Sequence, residues 1–249
     1  MAEYVGATRE DSDDLNKTTI FLDWVNTLVR MEPDRHTMCV QALSEISIDM
    51  EPHHALRGIL AAEQQVPEGR PIQWTDEQDP AVFAKYNDIL MRTAGMEPLD
   101  PDTTLRIVRR VREMAKSIRF ALFDDVLTAL SELKQRGLTT AVLSNMNRPL
   151  QPAVERLGLS ELLDFSLTSS EVGGTGKPEK PIFLEALRRA TAEPAQAVHV
   201  GDEPWIDGDG AQSAGITPVI IDRWNLSTST DYPRITSLQE LPAMLDTFS

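Results

Sequence analysis

Four polar groups fall at or just beyond the ends of short apolar runs. They are Asp23 after Thr18-Thr19-Ile20-Phe21-Leu22, Ser144-Asn145 closing the run from 139, Lys177 in the loop after residues 164–168, and Gly201-Asp202 after Ala197-Val198-His199-Val200. In an open parallel sheet such strand ends are where ligands gather. Carboxylates there can hold a metal ion, which with one or two local cations lets an acidic pocket accept a small phosphate. Taken singly, each group has a plainer explanation: a strand-end Asp capping a turn, a Ser-Asn turn starter, a solvated lysine, an acidic loop. Their order along the chain and their shared placement favour a common site.

The elements that must carry these residues can be read from periodicity. Residues 18–23 suit a strand buried on both faces. From about residue 118 onward, strands at 139–144, 164–168, 197–200 and 217–221 alternate with helices at 124–136, 149–157, 181–191 and 208–214. Within the helix at 124–136, Val126, Leu127, Leu130 and Leu133 form the predicted buried face, and Gly137 supplies the stop. Such alternation predicts an α/β fold, a doubly wound parallel sheet with helices on both faces. Residues 33–117 contain no convincing strand but helical stretches at 81–94 and 103–117, separated by a polar loop at 66–80. This predicts a helical insertion between the first two core strands. The predicted organisation is a flexible tail at 1–17, a core built from 18–32 and 118–249, and a helical cap at 33–117.

The segments FLDWVNTLV, AVLSNMN, GKPEKPIFLEAL and VHVGDEPWIDGDGAQSAGI resemble, in order, the four motifs of the haloacid dehalogenase superfamily. The resemblance covers the first strand and essentially all of the chain from residue 118. The insertion is similar in place and character to the helical cap of the subgroup that includes haloacid dehalogenases, phosphonatases and many small-molecule phosphatases. What the resemblance implies is a hydrolase in which Asp23 is the nucleophile and forms an aspartyl ester. Ser144 would donate to the transferring group with support from Asn145, and Lys177 would neutralise developing charge. It implies Mg²⁺ held by Asp23, Asp202 and the Val25 carbonyl, with Asp207 binding directly or through a water. Trp24 and Thr27, beside the nucleophile, are expected to contact a small, phosphorylated substrate.

Val25 departs from the pattern. Phosphatases of the superfamily usually carry a second Asp there, which protonates the leaving group and then activates water, and they usually carry Gly where this chain has Asn26. General acid–base help is worth about 10²- to 10⁴-fold in rate. Three readings accommodate its absence: a phosphohydrolase restricted to leaving groups that need little protonation, a carbon–halogen or carbon–phosphorus cleaving enzyme, or a weakly catalytic binding protein. DWVNT is similar to a phosphonatase pattern, and that chemistry would call on Lys85 or Lys116 of the insertion.

Composition bounds the partners. A formal net charge of -15 repels nucleic acid over most of the surface. A single cysteine, Cys39, excludes an internal disulfide. The polar, acidic N-terminus and the lack of a long apolar run predict a cytoplasmic protein without a membrane partner. Gly173-Gly174-Thr175-Gly176-Lys177 fails as a P-loop because Glu171 and Pro178 replace its first Gly and its Ser or Thr. His199, inside a predicted strand, is expected to be a buried, hydrogen-bonded core residue.

Overall fold

The computed structural model describes residues 17–65, 79–226 and 231–248. The tail at 1–16 and most of the predicted loop at 66–80 lie outside the described residues. Lys17, assigned to the tail, is tied to the fold: its ammonium donates to the Ala195 carbonyl at 2.6 Å and to Thr217 Oγ1 at 2.8 Å.

A six-stranded parallel sheet forms the centre. Its strands are β1 (Thr19–Leu22), β4 (Thr139–Ser144), β5 (Phe165–Thr168), β6 (Ala197–Gly201), β7 (Thr217–Ile221) and β8 (Arg234–Ile235), in the order β5-β4-β1-β6-β7-β8. β1 pairs with β4 on one side and β6 on the other. The chain thus reverses its direction of growth across β1, which opens a crevice at the carboxyl ends of these three strands.

Alternate side chains of the central strands feed two apolar layers. Ile20, Leu22, Val142, Val198 and Val200 pack with α5 (Val126–Gln135), α6 (Gln151–Arg156) and α9 (Leu241–Leu245). Phe21, Ala141, Leu143 and Leu167 pack on the other face with α7 (Lys180–Ala190) and α8 (Gly210–Ser213). Within α5 the buried face is Val126, Ala129, Leu130 and Leu133, whereas Leu127, predicted to join it, is 46% exposed. It sits one position beyond the buried stripe that a 3.6-residue turn defines.

Between β1 and β4 the chain forms a structure that periodicity did not reveal. β2 (Val29–Glu32) and β3 (Arg119–Leu122) pair antiparallel, with Glu32 opposite Arg119. Each is short, carries a charged residue at one end and lacks the fully buried run that marks the equally short β1, so no pattern stands out. The segment they bracket holds α1 (Arg35–Ser44), α2 (Pro52–Gln65), α3 (Pro80–Thr93) and α4 (Pro101–Ala115). Three of these helices start on an Asp cap: Asp34, Asp79 and Asp100 accept from Thr37, Ala81 and Thr103 amides at 2.9, 2.9 and 3.0 Å. Pro80 and Pro101 occupy the first helical position, where no amide hydrogen is missed. These helices enclose an apolar cluster of their own, including Leu43, Ala55, Ile59, Leu90 and Met91. No described helix is long and apolar enough to cross a membrane.

Candidate active site

The crevice is furnished from the strand ends. Asp23 directly follows β1, its amide donating to the Val200 carbonyl at 2.8 Å, and the residue is only 9% exposed. Lys177, 3% exposed, donates from Nζ to Asp23 Oδ1 and, at 2.6 Å, to Asp207 Oδ1. His199 Nε2 meets the same Asp207 oxygen at 2.8 Å, and the Glu203 amide donates to Asp207 Oδ2 at 3.1 Å. That bond makes Nε2 the protonated ring nitrogen, since Asp207 only accepts. Both Asp207 oxygens are therefore committed to holding Lys177, His199 and the backbone, although the residue was expected at the metal.

Charge follows this geometry. Burial pushes the Asp23 carboxyl up and Asp207 adds to that push, while Lys177 opposes it, leaving a value of about 6. Burial works against the Lys177 ammonium, but Asp207 and Asp23 more than offset it and raise its pKa. Asp207 is held low by Lys177 and His199 despite its burial. The His199 ring is pulled down by burial and stays neutral. Lys177 is thus a fixed cation between two carboxylates.

Asn145 lies at the close of β4 and clamps Lys177 from behind. Its Oδ1 accepts from the Lys177 amide at 2.7 Å and its Nδ2 donates to the Lys177 carbonyl at 2.8 Å. Gly176 allows this approach, because a Cβ there would lie 2.3 Å from Asn145 Oδ1. Gly201 does the same for the other side: a Cβ would stand 2.1 Å from Asp207 Cγ. Ser144, 4% exposed, ends β4 beside β1.

The turn after Asp23 separates into two sets. Asn26 adopts φ of 62°, the left-handed region in which Gly or Asn is favoured, and its Nδ2 donates to Asp202 Oδ2 at 2.9 Å. What sequence comparison treats as an anomaly at 26 is a backbone requirement met by a second permissible residue, with an added ligand for Asp202. Trp24 and Thr27 point elsewhere. The Trp24 side chain is fully buried and stands edge-on to Phe120 at 5.9 Å, leaving its amide, which bonds the Asp23 carboxylate, as its part in the site. Thr27 is also fully buried, and its hydroxyl has no partner among the described residues. Val25 is half-buried against the core and provides an apolar side chain where an acid would stand.

Asp23 and Asp202 follow adjacent strands β1 and β6. Burial and the neighbouring carboxyls of Glu203 and Asp23 raise the Asp202 carboxyl well above its ordinary range. Among the described residues no group of three or more His, Cys, Asp and Glu side chains is placed to hold a metal ion. Two carboxylates with a peptide carbonyl nevertheless fit Mg²⁺, which keeps several waters and takes the rest of its octahedron from substrate oxygens. A cation there would relieve the mutual repulsion that now favours protonated carboxyls.

The helical segment also reaches the crevice. Arg35 at the start of α1 pairs with Glu63 of α2, which raises its pKa against the effect of burial, with Glu203 and Asp202 adding to the rise. The Glu203 carboxyl is lifted to about 8 by burial and then by Glu63 and Asp207, with Arg35 opposing. No motif signals Arg35 or Glu63, and the motif that contains Glu203 gives no sign of this contact, since the three meet only through the packing of the helices on the sheet. Lys85 is exposed on α3, and Lys116 lies on the surface, bonded to Glu113 at 2.6 Å.

The family model for haloacid dehalogenase-like hydrolases matches residues 17–215. Haloacid dehalogenase-like hydrolase domain-containing protein 3 of Mus musculus is 46% identical over 92 residues, 37% of this chain and 36% of that protein. Ribulose-1,5-bisphosphate 5-phosphatase of Halopiger xanaduensis is 35% identical over 112 residues, 45% of this chain and 46% of that enzyme. The matched stretches thus span between about a third and a half of these curated relatives. A HAD family hydrolase from Deinococcus radiodurans, solved with bound phosphate and sodium, superposes with a TM-score of 0.65 at 20% identity, covering 94% of this chain and 97% of its own. With a parallel sheet that reverses at β1, a strand-end aspartate held by a buried lysine and a family match over most of its length, the chain belongs to the haloacid dehalogenase-like hydrolases.

Proposed function

We propose that this hydrolase is a Mg²⁺-dependent phosphohydrolase of small phosphorylated metabolites in which Asp23 is the nucleophile, and that it is restricted to substrates whose leaving group needs little protonation. The observation that carries the reading is the Lys177 ammonium, buried and bonded to both Asp23 and Asp207. A carboxylate oxygen of Asp23 forms a bond to phosphorus while the bond to the leaving oxygen breaks. Lys177 neutralises the charge that builds on the transferring oxygens, and Ser144 donates to them. Asp207 and Asp23 keep Lys177 charged, His199 holds Asp207 in place, and Asn145 fixes the Lys177 backbone. Asp23, Asp202 and the Val25 carbonyl would hold the metal, which when bound screens the phosphate from the carboxylates. Water then attacks phosphorus, releasing phosphate and restoring Asp23.

Without an acid at residue 25 an alkoxide would have to leave unprotonated, whereas an acyl or aryl phosphate releases a stable anion. The same gap removes the base for the second step, so phosphorylated Asp23 is expected to accumulate. Phosphatase names among the relatives support this class. The half-buried Val25 also favours a second reading, carbon–halogen cleavage, in which a departing halide needs no proton. Neither Lys85 nor Lys116 is buried, which weighs against the Schiff-base route to carbon–phosphorus cleavage.

The test is Mg²⁺-dependent phosphate release from acyl, aryl and alkyl phosphates by wild type, Asp23→Asn and Val25→Asp. Activity on good leaving groups only, lost in Asp23→Asn and extended to alkyl phosphates by about 10²- to 10⁴-fold in Val25→Asp, is expected. Halide release from short haloacids with no phosphate release would overturn the reading.

A further inference from the structure

Inside the helical segment lies a cavity of about 270 Å³ bounded by β2, α1, α2, α3 and α4. Fourteen of its eighteen lining residues are apolar, and its remaining polar walls are largely spoken for. Asn87 Nδ2 donates to the Leu99 carbonyl at 3.2 Å, and Thr104 Oγ1 to the Asp100 carbonyl at 3.0 Å. α4 forms one wall of the cavity. Its apolar residues Ile107, Val108 and Val111 are only half-buried, and Thr104 is its one fully buried residue. An apolar stripe on a helix ordinarily closes against its neighbours. Here it lines a space.

Arg35 connects this space to the chemistry. It lines the cavity wall, pairs with Glu63 and stands near Glu203 and Asp202 at the strand ends. Met31, on the hairpin strand that follows the Asp23 turn, lines the cavity as well. The apolar space and the carboxylate crevice therefore share a boundary.

We infer that the cavity receives the apolar portion of the substrate, so that the enzyme takes an amphiphilic acyl or aryl phosphate, with the acyl chain or aromatic ring in the helical segment and the phosphoryl group at Asp23. This rests on the phosphohydrolase reading above and narrows its substrate class. An apolar cavity of about 150 Å³ admits a benzene ring, so this one has room for a ring or a chain of several carbons. A sugar phosphate would bring hydroxyls against a wall with few groups to bond them, which disfavours it.

Binding can be measured without turnover. Calorimetric titration of n-alkyl phosphonates from methyl to octyl, with Mg²⁺ present, is expected to show affinity rising about fourfold per methylene until the cavity is full, the factor given by burial of each CH₂. Ile107→Trp, which fills the cavity, should flatten the rise while leaving methylphosphonate affinity unchanged. Val108→Phe serves the same purpose if that variant fails to fold. Octylphosphonate binding no tighter than methylphosphonate in the wild type, or a rise that survives both variants, overturns the inference. Acetyl phosphate turnover, assayed in parallel, separates the two ideas. A flat series with turnover intact removes only the apolar substrate, whereas a rising series without turnover removes only the hydrolysis.

Discussion

At the scale of single residues, the site depends on side chains that never need to touch a substrate. Asn145 was legible as a strand-end polar group, but its role was not, because both its amide atoms are consumed by the Lys177 backbone. Replacing it by Ala should let Lys177 shift by a fraction of an ångström to an ångström, and displacement of that size costs about 10²-fold. A fall in kcat of that order on acetyl phosphate with KM nearly unchanged is the expected result for Asn145→Ala. A change confined to KM would make Asn145 a substrate ligand instead. Asn26 is the converse case, read as a departure from the family and found to satisfy a left-handed turn while bonding Asp202. Asn26→Gly preserves the backbone and removes only the amide. Partners of this kind typically contribute 10- to 100-fold in metal affinity, so the Mg²⁺ concentration for half-maximal activation should rise by about tenfold or more, with the melting temperature nearly unchanged. An unaltered Mg²⁺ requirement would leave Asn26 a backbone device alone.

At the scale of elements, the sequence revealed most where strands were long, apolar and buried on both faces, as in β4, β6 and β7. It revealed least at the two-residue β8 and at β2 and β3, which lack the fully buried run of the equally short β1 and are defined only by their mutual pairing. The ends of these elements are fastened by a buried pair that no periodicity indicates. Arg223, just after β7, donates to Asp125 Oδ2 at 2.5 Å and to the Thr27 carbonyl at 2.5 Å, and its guanidinium lies 4.3 Å over the Phe123 ring. Asp125 Oδ2 also accepts from Ser237 Oγ at 2.7 Å and the Leu238 amide at 2.8 Å. One carboxylate thus joins the start of α5, the end of β7 and the C-terminal turn to the loop carrying Asp23. Asp125→Ala leaves the buried guanidinium without its carboxylate partner and should cost about 3–5 kcal/mol in urea unfolding at pH 7. Burial pushes the Asp125 carboxyl up, but the bonds from Arg223 and Ser237 hold it below its ordinary 3.8. A depressed carboxyl contributes stability above its unfolded value and loses it as pH falls through the folded one. The gap between wild type and variant should therefore narrow below about pH 4. A gap that stays constant from pH 7 to pH 3 would mean that the side chain acts by packing and not by charge.

At the scale of the whole molecule, the alternation of strands and helices after residue 118 was enough to anticipate the doubly wound sheet, and the absence of strand patterns at 33–117 was enough to anticipate a helical segment. What lay beyond reach was how the two communicate, since Arg35, Glu63 and Glu203 come from separate regions of the chain and meet only in three dimensions. The apolar clusters nevertheless divide cleanly among the described residues. Both clusters that sandwich the sheet draw nothing from residues 34–117, and the helical cluster draws nothing from outside them. The paired ends Glu32 and Arg119 stand directly opposite one another on the β2–β3 hairpin, so a two-residue turn of the Asn-Gly type can join them in place of the helices. A chain shortened in this way should retain a cooperative unfolding transition, because both apolar clusters of the sheet are kept. It should also still become phosphorylated on Asp23 by acetyl phosphate, since Lys177, Asp207, His199 and Asn145 all remain. Its preference for long-chain over methyl phosphonate should vanish with the cavity. Circular dichroism melting and intact-mass detection of the phosphoenzyme check the first two expectations. A shortened chain that fails to unfold cooperatively would mean that the helices and the sheet form one inseparable folding unit, with the β2–β3 hairpin held together by the helices and not by its own pairing.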